Sequence, residues 1–403
     1  MKLLAISEHY YPRVGGTVNY VHETLCALAA RGVETELLVP GPAPEQWLPA
    51  GMNTPPYSVR WIDADYPPIG DPSREQRYDF CNKVGIYIDK SLEGDNPPDI
   101  LHILFGLFAM EMINTDELRN KGLPCIATVH NIPPLECRQV LPNAPLANRI
   151  KEAVRISAVT LKNRIRLKKY DYNLYIVPSQ QVYDLLSSVV RGNVEVIGHG
   201  ETTDLQALMS PPSSRCPNGL VRLLTVGGYA PHKRQHIIPK TASLLRAANI
   251  DFAWDVVGPS GRVKNYFMNI EREIIELELQ DYITLHKSVP FPNLGKLYDK
   301  ANIYVQPSIE EGFCLTALDA AIAGLPVIGT SAGALPDITE LSGGFLVESE
   351  PESIFEAIRT CLNSESWKDV SLQAVNIRDN FSWPGAADIL LQKYNELLKL
   401  DII

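Results

Sequence analysis

Ten short apolar runs, arranged as two series of five, constrain this chain more than any other feature. The first series reads "KLLAIS", "TELLVPG", "DILHILFG", "PCIATVH" and "YNLYIVPS"; the second reads "LVRLLTVG", "FAWDVVG", "YITLHK", "NIYVQPS" and "PVIGT". Runs this short and β-rich, separated by amphipathic stretches long enough for helices, indicate strands that pair in parallel and are covered on both faces. The expected fold class is therefore α/β.

A chain of 403 residues is too long for one comfortable core, so each series predicts its own Rossmann-like domain. Between them "MSPPSSRCPNG", residues 209–219, breaks any regular pattern with prolines and serines. The expected division is an N-terminal domain over 1–205, a linker over 206–219, a C-terminal domain over 220–382 and a final helix over 383–403. That helix has apolar positions Ile389, Leu390, Tyr394, Leu397 and Leu398 at helical spacing. It either docks on its own domain or crosses back to the first. The proline-rich stretch 40–74 reads as a long excursion between the second and third strands.

Composition excludes some classes. A net charge of −10 argues against a nucleic-acid binder, which needs a basic face to displace counterions. Seven cysteines without a C-x-x-C pair indicate a reducing compartment, with no disulfide framework and no metal site. The start "MKLLAISEHYYP" is too short for a signal h-region, and no stretch approaches the apolar length of a membrane span. The expected location is cytoplasmic, at most peripheral at the inner membrane face.

Candidate chemistry clusters after strands. Gly15 and Gly16 follow the first strand and open a helix, where backbone N–H groups can point at an anion unobstructed; a plain tight turn reads equally well. No G-x-G-x-x-G is present, which weakens a bound NAD. His130 ends "CIATVH" at the edge where ligands of open α/β sheets bind, although a lone histidine is often structural; His102, amid apolar neighbours, reads as a packed core residue. Lys233 and Arg234, just past a strand, could neutralise a leaving phosphate or merely decorate a solvated helix start. In "PSIEEGFCLTALDAAIAGLPVIGT" the amides of Phe313, Cys314, Leu315 and Thr316 are placed at a helix N-terminus, which favours a diphosphate. Glu311 precedes them, within reach of a sugar hydroxyl. Asp319, one turn inside, could accept from a ribose or complement the helix dipole.

Together these elements resemble the retaining glycosyltransferases of family 4, which have the GT-B architecture of two facing Rossmann-like domains. The resemblance rests on "PRVGG" at 12–16, Thr128-Val129-His130, "VGGYAPHK", the spacing of Glu311 and Asp319 with "EGF" intact, Ala323–Ile328 and the terminal "FSW", in order along nearly the whole chain. It implies an acceptor-side N-terminal domain, a donor-binding C-terminal domain and a crossover helix. It also implies transfer of a hexosyl group from a nucleotide-diphosphate sugar with retained configuration, needing no metal or other cofactor. The roles implied are Gly16, beside Gly15, near the donor phosphate, His130 on the donor sugar, Lys233 on the diphosphate, Glu311 on the hexose and Asp319 on the ribose. Two positions depart from the family pattern: Gly228 stands where many relatives have arginine, and Asp319 replaces the usual glutamate.

The acceptor is expected to be a glycan, a lipid-linked molecule or a small molecule. The basic stretch 149–169 is either a solvated helix face or an electrostatic contact with an anionic membrane or lipid-diphosphate acceptor. The rival readings are a catalytically weak sugar-nucleotide or glycan binding protein and another GT-B activity, such as an epimerase or a phosphorylase-like enzyme.

Overall fold

The structure, a computed structural model, describes residues 1–13, 15–45, 47–48, 54–67, 72–131, 146–202, 219–260, 263, 265–287, 289–362 and 364–400. The chain forms two compact units. The first comprises Met1–Ile132, Lys162–His199 and Trp383–Ile403, the second Pro133–Leu161 and Gly200–Ser382.

Among the described residues of the first unit, seven parallel strands form one sheet: β1 (Lys2–Ser7), β2 (Glu34–Pro40), β3 (Ser58–Ile62), β4 (Ile100–Phe105), β5 (Cys125–Thr128), β6 (Leu174–Val177) and β7 (Asn193–Val196). Their order is β3-β2-β1-β4-β5-β6-β7, so β1 is an interior strand beside the central β4, with Leu4 opposite Glu36 on one side and Leu101 on the other. The strands β1, β4, β5 and β6 are buried along almost their whole length, as strands covered on both faces must be. The helix Trp383–Leu400 belongs to this unit and packs on the helix Gly16–Ala29. It buries Trp383, Ala387, Leu390 and Tyr394, while Ile389, expected on the apolar face, is 45% exposed.

The second unit repeats the plan. Among its described residues six strands, β8 (Val221–Val226), β9 (Phe252–Val257), β10 (Ile283–His286), β11 (Ile303–Val305), β12 (Val327–Gly329) and β13 (Phe345–Leu346), lie in the order β10-β9-β8-β11-β12-β13. All pair in parallel. Two apolar layers, one around Trp254, Phe252 and Trp367 and the other around Leu318, Leu325 and Tyr304, form its core.

The structure adds three strands to the ten expected, each at or near a sheet edge. β3 lies inside the excursion 40–74, which is therefore not a single loop between the second and third strands; its burial alternates, so "SVRWI" carries no continuous apolar run. β7 has no buried residue and β13 is two residues long. The domain boundary also differs. The first unit does not run unbroken over 1–205, because Pro133–Leu161, in the long connection from β5 to β6, and the residues from Gly200 onward group with the second unit. Most of the expected linker 206–219 lies outside the described residues.

Candidate functional site

In each sheet the strand order reverses at one point, between β1 and β4 in the first and between β8 and β11 in the second. Open α/β sheets bind ligands beyond the carboxyl ends of strands at such points. The candidate residues fall into two groups, one in each unit.

In the second unit, β8 runs into Gly227 and Gly228 and then a single turn of 3-10 helix, Pro231–Lys233. β11 runs into Gln306, Pro307 and Ser308. The two connections converge on the carboxylate of Glu311, which is only 6% exposed. It accepts from Lys233 Nζ at 2.6 and 2.5 Å, from Ser308 Oγ at 2.7 Å and from Gln306 Nε2 at 3.1 Å. Burial acts to raise its pKa, but the Lys233 charge and the bonds from Lys233 and Ser308 outweigh that and hold it below the usual glutamate value. The carboxylate is thus ionised at neutral pH. Thr330 donates to the Ser308 carbonyl and so fixes the loop from behind. Gly333 closes in on the other side; with φ +57, it would bring a Cβ to 2.6 Å from Glu311 Cβ, so only glycine fits.

Past Glu311 the helix Leu315–Ile322 starts from Cys314, whose φ of 90 turns the chain into it with no side-chain cap. Its first-turn amides are therefore not met by a capping side chain, which leaves the positive end of the helix dipole for an anion. Phe313 is buried edge-on to Phe381 and Thr316 bonds the Val226 carbonyl, so these side chains hold the loop in shape. The Cys314 thiol is pushed up to about 12 by burial and by the nearby Glu311 charge, which makes it inert. Asp319 is 2% exposed and accepts from the Thr202 amide at 2.7 Å and the Thr202 hydroxyl at 2.8 Å. Thr202 thus presents to this carboxylate the pair of donors that the ribose reading expected of a ligand.

Lys233 and Arg234 do not act as a pair. Arg234 has φ 58, and its guanidinium bonds the Ser349 carbonyl and, at 2.9 Å, Glu350. It lines a cavity of about 290 Å³ with His236, Lys240 and Glu273, away from the Glu311 cluster.

In the first unit Gly15, at φ +152, is the N-cap of the helix Gly16–Ala29, and both glycines are exposed. From this helix Tyr20 reaches back to β5, where its hydroxyl meets Thr128 Oγ1 at 3.0 Å. The same Thr128 oxygen lies 2.8 Å from His102 Nε2, and His102 Nδ1 lies 2.6 Å from the Tyr394 hydroxyl. Burial, with His130 adding to it, pushes His102 down to about 3, so it is the neutral core histidine that its neighbours suggest.

His130 stacks against this assembly, with Tyr20 edge-on at 4.5 Å and Phe105 and His199 beside it. Its Nε2 lies 2.9 Å from the Leu104 carbonyl. Only an N–H can satisfy a carbonyl, so Nε2 carries the proton and Nδ1 keeps its lone pair. Burial, partly offset by the Leu104 bond, lowers its pKa to about 4. The ring is a neutral acceptor.

Sequence reasoning missed three features. Gln306 and Ser308, in "VQPS", complete the Glu311 carboxylate; the only signal was two polar residues directly after a strand. Glu8, directly after β1, is 2% exposed and accepts from the Ala109 amide at 2.8 Å and from Arg77 at 3.3 Å. Through that bond it aims Arg77 into a cavity of about 580 Å³, lined also by Arg74, Phe108, Glu111, Lys162 and Arg166. The capping box of Ser73 and Gln76, which starts the helix Arg74–Leu92, sets Arg74 and Arg77 on its first turn. Four cations thus share a cavity with one acid in a chain of net charge −10. A second cavity of about 580 Å³, lined by Tyr10, Arg13, Trp61, Asp63 and Tyr66 among others, draws much of its wall from the excursion 40–74.

Residues 14–205 match the Glycosyltransferase Family 4 model and residues 210–377 the Glycosyl transferases group 1 model. The chain is similar to D-inositol 3-phosphate glycosyltransferase 1 of Catenulispora acidiphila, with 24% identity over 96% of this chain and 91% of that protein. Among solved structures it is similar to sucrose-phosphate synthase from Thermosynechococcus elongatus, at TM-score 0.76 and 21% identity over 99% of both chains. It is also similar to Anabaena HepE in complex with UDP and glucose, at TM-score 0.68 and 16% identity over 98% of this chain and 100% of the other. At these identities the two structures speak for the fold: two parallel-sheet, Rossmann-like domains of GT-B type.

Proposed function

This chain belongs to the family-4 glycosyltransferases, and we propose that it moves a hexosyl group from a nucleotide-diphosphate sugar to a phosphate-bearing acceptor with the anomeric configuration retained. The observation that carries the donor half is the Lys233–Glu311 pair beside the uncapped start of the helix Leu315–Ile322. A diphosphate on those amides meets the positive end of the helix dipole, and the Lys233 ammonium supplies a full charge next to it. Glu311, ionised, holds Lys233 in place and offers its carboxylate to a hydroxyl of the hexose. The role that the family resemblance implies for His130, an acceptor toward the donor sugar, suits its neutral Nδ1.

In the reaction the bond from the sugar C1 to the diphosphate oxygen breaks, and its electron pair leaves with the diphosphate. The acceptor hydroxyl oxygen bonds to C1 on the face just vacated, and its proton passes to the departing phosphate oxygen. The products are a nucleoside diphosphate and a glycoside of unchanged configuration. Fixed amides and one cation that meet the developing charge lower such a barrier by several kcal/mol, and this scheme calls on no metal.

The acceptor half is supported by the cavity of Arg74, Arg77, Lys162 and Arg166, a cation set suited to an anionic group. The phosphate in the names of two similar proteins points the same way. UDP, which is bound to HepE, is the first nucleotide to try. The test is incubation with α-linked UDP-hexoses and a panel of sugar and polyol phosphates, followed by proton NMR of the anomeric signal. An α-linked product with release of the nucleoside diphosphate supports the reading. A β-linked product contradicts retention, and binding without turnover across the panel selects the weak-binder reading.

A further inference from the structure

The helix Leu146–Leu167 carries a row of large apolar residues on its solvent side. Five of its eight large apolar residues, Leu146, Ile150, Val154, Leu161 and Ile165, are 68%, 55%, 65%, 62% and 53% exposed. Their spacing puts all five on one face, because residues four apart lie one above the other and the gap from Val154 to Leu161 is two turns. Glu152 and Leu167 are buried, and Ile156 and Val159 half-buried, on another side of the helix, so the exposed row is a second apolar face. A folded protein in water has no use for a continuous exposed row of branched aliphatic side chains.

The same helix is strongly basic. Between residues 146 and 169 the sequence has Arg149, Lys151, Arg155, Lys162, Arg164, Arg166, Lys168 and Lys169 against the single acid Glu152. Arg164 lies on the apolar row itself, Lys151 and Lys162 beside it on one flank and Arg149 on the other. An apolar row rimmed by cations is the composition of a helix that lies in the plane of a membrane interface, aliphatic groups among the acyl chains and cations at the headgroups. The sequence reading weighed the charge of this stretch; the exposed apolar row is what the structure adds.

We propose that the face of Leu146, Ile150, Val154, Leu161 and Ile165 docks this protein on an anionic lipid bilayer as a peripheral, non-spanning contact. Charge complementarity selects this occupant. A second copy of a chain with net charge −10 would have to bury this basic row against an identical basic row, whereas anionic headgroups neutralise it. Among the described residues no helix is long and apolar enough to cross a membrane.

The test is flotation of the full-length protein with vesicles of phosphatidylcholine alone or mixed with phosphatidylglycerol, at low and high salt. Alongside runs a variant carrying Ile150→Gln, Val154→Gln and Leu161→Gln; glutamine keeps helix propensity, and all three sites are exposed, so the fold is retained. The expected result is binding to the anionic vesicles that weakens with salt, and a bound fraction lower by about tenfold or more in the variant. No binding at low salt, equal binding to uncharged vesicles, or binding untouched by the three substitutions would overturn the proposal. So would a dimer that forms without vesicles and is lost in the variant, which would assign the row to a second copy.

Discussion

The ammonium of Lys233 lies 2.6 and 2.5 Å from the two carboxylate oxygens of Glu311, residues 78 positions apart brought together because β8 and β11 are neighbours. Glu311 is almost fully buried, whereas the Lys233 side chain is 21% exposed. The pair thus has one closed partner and one with access to solvent. Removal of the Lys233 charge strands the buried Glu311 carboxylate, so that variant above all needs a control for folding.

The backing of Glu311 gives one prediction. Gly333→Ala puts a methyl group 2.6 Å from Glu311 Cβ at a φ of +57. The strain and the clash together should cost about 2 to 5 kcal/mol, read as a lower urea midpoint. Donor turnover should fall as well, since the carboxylate is displaced. An unchanged midpoint would mean that Glu311 has room to move.

Gly228 gives a second, constructive one. A Cβ there meets nothing closer than Pro259 at 3.8 Å. Gly228→Arg should therefore fold and supply a second cation near the diphosphate, with donor Kd lower by about tenfold as measured by calorimetry. Weaker binding would place the diphosphate elsewhere.

Much of the fold was legible because most interior parallel strands are apolar at all but one position or so. "ILHILF" and "FAWDVV" declare themselves without help from the rest of the chain. Edge strands do not: Arg60 in β3 and Glu195 in β7 interrupt any apolar run, and their pairing is decided by the neighbouring strand. The site divides in the same way. Lys233 and Glu311 stood out because each follows a strand, but the opposite directions of Lys233 and Arg234 depend on the left-handed turn at Arg234. That Asp319 bonds Thr202, and that Glu8 carries Arg77, are tertiary facts with no local signature.

The acceptor cavity gives a third prediction. Arg77 is a poor probe because its loss strands the buried Glu8; Arg74 and Lys162 are exposed and free of that problem. Arg74→Ala and Lys162→Ala should each raise KM for a phosphate-bearing acceptor by about tenfold or more and shrink its advantage over the phosphate-free analogue. Equal losses on both acceptors would remove the cavity from phosphate recognition.

The histidines give a fourth. His102 and His130 are pushed down to about 3 and about 4, mainly by burial, and His199 is lowered for the same reason. A group whose folded pKa is depressed binds its proton more readily when unfolded, so acidification favours unfolding. The loss should begin near the ordinary histidine value of about 6.5 and reach about 1.4 kcal/mol per pH unit for each histidine. Glu311, also depressed, adds stability that is lost only below the ordinary glutamate value. Thermal midpoints should thus fall between about pH 7 and pH 5. A flat profile there would mean that these rings are charged in the folded protein.

The most direct test is the turnover of a UDP-hexose by Lys233→Gln, Glu311→Gln and the double variant, each checked for folding by its thermal midpoint. With the fold intact, both single variants should lose about two orders of magnitude or more in kcat/KM for the donor. The double variant should be little worse than either, because the two residues act as a unit. Wild-type turnover in either folded single variant would contradict the assignment of this pair to the departing diphosphate.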